Sequence, residues 1–290
     1  MTGPERRRVV LTTDCGTEMD DQWALAHLFL SPSIELRAVV TTHAPNLPSP
    51  AAEASAADAK AVLEHLPGGT GVDVIPGSST PLQDVSSPLV NAGVERIVEE
   101  ARACSDGRLA LLAIGAATDV ASALIAAPDV VDCIEVVAMG FQGRDLGGDE
   151  WNVKNDPNAW RAILGSSVPL TVGDASVCKE WLCLTPAKAS ALLDGRGDIG
   201  QYLAGILTTW LDANGEVARL VTGQDDTWPV WDEIVVAHLL GMTQWVSSGR
   251  PVLRPDLSFD RSESAGEMRW ITHIDVDALW SDLAHRCVGR

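Results

Sequence analysis

Four carboxylates, Asp14, Glu18, Asp20 and Asp21, crowd into the eight positions from Asp14 to Asp21. A helix start uses one or two acids for capping and dipole compensation, so this run carries more negative charge than local structure requires. Adjacent Asp20 and Asp21, with Asp14 close by, repel one another unless a cation or shared protons relieve them. A hard divalent metal is the preferred reading, because such ions are bound through carboxylate and carbonyl oxygens. Far downstream, Asp232 in Trp231-Asp232-Glu233 precedes a second apolar helix. Taken alone it reads as an N-cap, with a distant metal ligand as the other reading. Cys15 sits inside the acidic run, where carboxylates raise a thiol's pKa, so it is not expected to be a nucleophile.

The acidic run lies where an apolar strand, Val9-Val10-Leu11, meets an apolar helix from Gln22 to Leu30. Strand-like and helix-like segments then alternate. Strands are expected at Ile34–Val40, Val72–Ile75, Leu109–Ile114, Ile134–Met139, Val168–Val172 and Trp270–Asp275. Helices are expected at Ala51–Leu66, Val90–Ala103, Ala117–Ala126, Pro157–Leu164, within Thr185–Leu220, and at Asp232–Leu240 and Val276–Leu283. Such alternation predicts an α/β fold: one domain over residues 1–290 with an open, mostly parallel, Rossmann-like sheet flanked by helices. In sheets of this kind ligands bind at the strands' C-terminal edge. Polar residues gather there, in Thr41 to Asn46, Gly115 to Asp119, Met139 to Gly143, Glu150-Trp151-Asn152 and Asn155-Asp156-Pro157. Pro76 to Pro88, rich in Gly, Pro and Ser, reads as a surface loop, and Lys179-Glu180 as loop residues without an assigned role.

Composition narrows the function classes. A chain of 290 residues with 46% hydrophobic content buries a large core. A net charge of −19 argues against nucleic acid and against an anionic membrane surface, since both need clustered Lys and Arg. The N-terminal MTGPERRRVV has no following apolar core of the signal-peptide type and no apolar stretch reaches spanning length, so a cytoplasmic location is expected. Six scattered cysteines without a CxxC pair suit reduced thiols. His27 and His238, inside apolar helices, read as core residues, and only His43 falls near the expected ligand edge.

The ordered set of these motifs resembles the inosine-uridine-preferring nucleoside hydrolase family. Asp14-Cys15-Gly16-Thr17-Glu18-Met19-Asp20-Asp21 is similar to that family's N-terminal aspartate signature in a longer variant. Thr41 to Asn46, Ile114 to Asp119, Val136 to Gly140, Glu150 to Pro157 and Asp232 follow in the family's order. The resemblance implies an essential Ca²⁺ held by Asp14, Asp21 and Asp232 and by the backbone carbonyl of Ile114. It implies that Asp20 is the general base for a calcium-bound water that attacks C1′, releasing base and ribose from a ribonucleoside. It places Asn46, Glu150 and Asn152 on the ribose hydroxyls, and it implies a homo-oligomer, a dimer or tetramer. Three departures accompany it. Thr12 stands where the family often has an aspartate. Trp231 stands where inosine-uridine-type members carry a proton-donating histidine. The His-Gly-rich base-covering loop is missing. Trp231 resembles the stacking tryptophan of purine-specific members, which points to a purine base, with core packing as its plainer reading. A haloacid-dehalogenase-type phosphohydrolase would need a second aspartate shortly after the first, and Thr17-Glu18 does not supply it. A non-catalytic calcium-dependent nucleoside or ribose binder on the same fold is the alternative, and the intact Asp20 argues against it.

Overall fold

Val9, Val10 and Leu11 are fully buried in the middle of strand β1 (Arg7–Thr13), and their alternating side chains feed two different cores. Val9 and Leu11 join one apolar cluster and Val10 the other. This is the expected outcome for a strand covered by helices on both faces, where the period of two buries every residue. The computed structural model describes residues 6–288 except 106, 263 and 265. The first five residues of the N-terminal stretch read above, and the last two of the expected 1–290 domain, lie outside the described residues.

The alternation predicted from sequence is present. After β1 come α1 (Asp20–Leu30), β2 (Ile34–Thr41), α2 (Ala51–Glu64), β3 (Val74–Pro76), α3 (Ala92–Arg102), β4 (Leu109–Ala113), α4 (Thr118–Ala126) and β5 (Ile134–Met139). The chain continues through α5 (Trp151–Asn155), α6 (Pro157–Gly165), β6 (Leu170–Gly173), α7 (Ala175–Trp181), β7 (Cys183–Leu184), α8 (Pro186–Leu193) and α9 (Gly197–Thr222). It closes with β8 (Trp228–Pro229), α10 (Glu233–Leu239), β9 (Thr243–Gly249), β10 (Val252–Leu253), β11 (Phe259–Asp260), β12 (Glu267–Ile274) and α11 (Val276–Cys287).

Eight strands form one sheet in the order β3-β2-β1-β4-β5-β6-β12-β9, parallel throughout except for β9, which runs antiparallel to β12 at one edge. The order reverses direction between β1 and β4. At such a switch point successive crossover helices leave on opposite faces and open a crevice at the C-terminal edge. Asp14 follows β1 and Ile114 follows β4, so the crevice lies between them.

Helices α5 and α7, edge strand β9 and the two-residue strands β7, β8, β10 and β11 were not legible in the sequence. Helix α5 has five residues, α7 seven, and edge strand β9 is largely exposed, so none offers a sustained periodic pattern. Lys179 and Glu180 therefore sit on a helix, not in the loop expected from sequence, and Asp174 caps it by accepting from Ser176 N and Val177 N. No helix among the described residues is long and apolar enough to cross a membrane.

Candidate active site

The acidic run begins where β1 leaves the sheet. Thr12 Oγ1 donates to the Leu112 carbonyl at 3.0 Å, tying β1 to β4 at the level of the site. The chain then turns through Gly16 at φ +97, a left-handed conformation that favours glycine, and a Cβ there would fall 2.0 Å from Asp58 Oδ2. Across the crevice, a Cβ on Gly115 would lie 2.7 Å from both the Asp14 nitrogen and Asp14 Oδ1, so only glycine lets β4 end this close to Asp14.

Helix α1 opens with Asp20 and Asp21, and neither is spent on capping: the N-cap is Met19, without a side-chain bond. Thr13 Oγ1 donates to Asp21, and Thr17 Oγ1 to Asp14 Oδ2 at 3.2 Å. Asp232 occupies the N-cap position of α10 and yet makes no capping hydrogen bond, contrary to the reading of that residue in isolation. Its carboxylate instead meets those of Asp20 and Asp21, one oxygen from each lying within 4.8 Å of the others. Asp14, Asp20, Asp21 and Asp232 are all buried and line one cavity of about 330 Å³, a volume within the range of small-molecule sites.

Burial raises the pKa of all four, and mutual repulsion raises it further for Asp20, Asp21 and Asp232. Asp14 is pushed up to about 7 by burial, partly offset by its hydrogen bond from Thr17. Carboxylates crowded in this way, with no ion pair to any of them among the described residues, suit a group that takes an external cation. Oxygens around one Ca²⁺ lie about 2.3–2.6 Å from the ion, hence up to about 5 Å from one another. The observed donor set, oxygen only and buried, fits a hard divalent cation.

The remaining residues singled out from sequence divide clearly. Ile114 lines the cavity, and its carbonyl accepts from Asn152 Nδ2 at 3.0 Å, leaving a second lone pair free. Asn152 Nδ2 also lies 3.3 Å from the Met139 carbonyl, so this side chain braces the ends of β4 and β5. Glu150 caps α5 by accepting from Asn152 N and Val153 N at 3.0 and 3.1 Å, and burial pushes it up to about 7. Both still line the cavity. Trp231 does so as well, half-buried and edge-on to Trp228 with ring centroids 5.6 Å apart at 84°. Asn46 is not brought to the cavity wall; it is exposed and donates to the Thr17 carbonyl at 3.3 Å. His43 hydrogen-bonds to Thr118 Oγ1 at 3.0 Å, and Thr118 donates to Asp156 at 2.6 Å, a structural chain beside the site.

Glu18 and Lys179 are among the wall residues that had no role in the sequence reading. Glu18 accepts from Trp228 Nε1 at 2.8 Å, and burial pushes it up to about 7 despite indole N–H groups from Trp228 and Trp231. It belongs to the acidic run, so its proximity was visible; its aromatic partners, far off in sequence, were not. Lys179 lies at the Trp231 ring, its Nζ 5.9 Å from the centroid. Nothing local marked it, because α7 itself was not recognised. Cys15 and Cys178 are buried with raised pKa, burial being the main cause and nearby acids adding to it, so both are inert thiols.

Comparisons with known proteins agree with this architecture. A sequence profile described as inosine-uridine preferring nucleoside hydrolase matches residues 9–281. The chain is 26% identical over 183 residues to a putative pyrimidine-specific ribonucleoside hydrolase RihB of Shigella boydii, covering 62% of this chain and 71% of that protein. A pyrimidine-specific ribonucleoside hydrolase RihB of Escherichia coli is 24% identical over the same share of this chain, and the match spans only about half of that relative, 55%. Among solved structures, a purine-preferring ribonucleoside hydrolase from Gardnerella vaginalis superposes with a TM-score of 0.78 at 20% identity, covering 98% of each chain.

Proposed function

This chain belongs to the inosine-uridine preferring nucleoside hydrolase family, a family of hydrolytic enzymes, and from that premise we propose that it cleaves the N-glycosidic bond of ribonucleosides, purine ribonucleosides above all, to free base and ribose. The observation that carries the reading is the convergence of Asp20, Asp21 and Asp232 on one buried point at the sheet's switch crevice.

Calcium is the cation proposed, with Asp14, Asp21, Asp232 and the Ile114 carbonyl as its holders; when bound, it would acidify water and fix ribose hydroxyls. Asp20 takes the proton as water attacks C1′. The clustered carboxylates stabilise the positive charge that develops on the ribose ring as the bond to the base breaks. Glu150 and Asn152, at the cavity wall, position the sugar hydroxyls, and Asn46 reaches the sugar only if its loop shifts from its bond to Thr17. The Trp231 indole stacks on the base; a large aromatic face there supports a purine. Relatives named for pyrimidines and a structural neighbour named for purines leave this preference to the local wall of this chain. A second division of labour has its own support: Asp20 is among the three mutually closest carboxylates, which favours Asp20 as a ligand and Asp14 as the base.

Release of base and reducing sugar from inosine, adenosine, uridine and cytidine, with and without a chelator, tests the proposal. Purine turnover that disappears on chelation and returns with Ca²⁺ is expected; tight nucleoside binding without turnover would support the binder alternative instead. Asp20→Asn is expected to lower kcat by ~10²–10⁴ with calcium affinity retained. If Asp20→Asn abolishes calcium binding while Asp14→Asn retains it, the two roles are exchanged. Light scattering reads whether the chain forms the homo-oligomer that the family resemblance implies.

A further inference from the structure

The cavity lined by so many acids also holds a cation with no acid partner. Two lysines reach its wall, Lys154 and Lys179. Lys154 Nζ is paired with Asp149 at 2.9 Å. Lys179 forms no ion pair among the described residues, in a chain whose net charge is −19. Its position is set by two fixtures. Asp174 caps the start of α7, and Cys178 Sγ donates to the Trp231 carbonyl at 3.5 Å, fastening the helix to the residue before Asp232. The ammonium is held 5.9 Å from the Trp231 ring centroid, at the outer limit of a cation–π contact, so the indole does not use up its hydrogen-bonding capacity. The indole N–H of Trp228 is committed to Glu18, to which it donates at 2.8 Å. Lys179 Nζ lies over the Trp231 ring on the cavity side, so a base that enters against this indole comes within reach of the ammonium as a charged donor.

We propose that Lys179 is the leaving-group residue of this site, hydrogen-bonding through Nζ to an acceptor atom of the nucleobase and stabilising the negative charge that the base carries away. The inference rests on the nucleoside hydrolase reading and supplies what that reading lacks, a donor for the departing base where Trp231 replaces a histidine. As the water oxygen bonds to C1′, its proton passes to an aspartate. The electron pair of the C1′–N bond goes to the base and spreads over its ring nitrogens and exocyclic atoms. Lys179 keeps its proton throughout, and the released base takes one from solvent. Because this charge exists fully only as the bond breaks, the interaction acts on kcat more than on KM.

The test compares leaving groups. Lys179→Met and Lys179→Arg are assayed on the best purine nucleoside and on p-nitrophenyl β-D-ribofuranoside, whose nitrophenolate departs as a stable anion without help. For Lys179→Met the expected result is a kcat loss of ~10²–10³ on the nucleoside, the usual effect of removing one charge-stabilising donor, with a loss of less than about threefold on the nitrophenyl riboside. Lys179→Arg, which keeps the charge, is expected to recover most of the nucleoside rate. Equal losses on both substrates, or no loss on the nucleoside, overturn the assignment while wild-type turnover leaves the hydrolase reading standing. Absence of wild-type turnover on either substrate overturns the hydrolase reading and the assignment with it.

Discussion

Asp232 and Glu233 are neighbours in the chain, both buried at the start of α10, and they face opposite electrostatic worlds. Glu233 turns toward α1 and meets His27, whose Nδ1 lies 2.8 Å from its Oε2; on the other side His27 Nε2 lies 3.2 Å from Asp282. Burial by itself would lower the His27 pKa, but the two carboxylates hold it up at about 9, and His27 in turn helps lower Asp282 to about 2. This cluster carries its own cation and ties α1, α10 and α11 together. Asp232 turns the other way, to Asp20 and Asp21, which stand at the start of the same α1, and among the described residues none of the three is in an ion pair. Buried acids elsewhere are also satisfied internally: Asp119 accepts from Ser78 N, Ser78 Oγ and Asn91 Nδ2, and Asp156 from Leu82 N and Ala159 N. The contrast separates structural from functional acids by partner supply. Where the fold provides the counter-charge or the N–H groups away from the cavity, a buried carboxylate serves packing; carboxylates crowded at the cavity wall without a counter-charge are available to something that arrives from outside, and Glu150, a cap that also lines the cavity, stands between the two.

The largest expected effect lies on the self-sufficient side. His27→Ala leaves Glu233 buried without its partner, and breaking a buried pair in this way costs about 3–5 kcal/mol. Chemical denaturation should show that loss equally with chelator and with Ca²⁺; a loss below about 1 kcal/mol would mean the cluster is hydrated and not a true buried tie. On the dependent side the sign reverses. Asp232→Asn removes one of the mutually repelling charges, so the chelated protein should gain stability, on the order of 1 kcal/mol, while the stabilisation that saturating Ca²⁺ gives the wild type by mass action disappears. A variant destabilised without metal would overturn the picture of uncompensated repulsion.

The smallest effect, and the sharpest test of the comparison, is in pH. For Asp14 the folded pKa, about 7, exceeds the unfolded value of 3.8, so the folded state binds the extra proton and stability falls as pH rises from about 4 to 7. For His27 the folded value, about 9, exceeds 6.5, so its contribution is complete below 6.5 and is lost as pH rises toward 9. Chelated protein should decline in both windows. Calcium should shrink the first decline, to which buried Glu18 and Glu150, also pushed up to about 7, still contribute, and leave the second, and His27→Gln should shrink the second alone. A single decline shared by all three samples would show that the two regions are not electrostatically separate.

Much of this was legible in the chain. The run from Asp14 to Asp21 announced more charge than a helix start can use, and both ends of it, Asp14 after β1 and Asp21 on α1, do line the cavity. Alternation of apolar strands and helices predicted the parallel sheet, because parallel strands need crossover elements and each leaves its own periodic trace. Short elements left no trace, and with α7 went Lys179. Asn46 stood in the right segment, yet its amide is occupied by the Thr17 carbonyl, a contact no local pattern records.

Sequence alone determined which residues carry charge, which long segments become strands or helices, and at which end of those strands the polar residues fall, since these follow from side-chain chemistry and from periods of two and 3.6 residues. Tertiary structure decided that Asp232 abandons the cap its local context offers and joins Asp20 and Asp21. That choice depends on the sheet reversing between β1 and β4 and on α10 packing against α1, and the free energies that set such long-range packing are sums over both cores, not properties of any short stretch of chain.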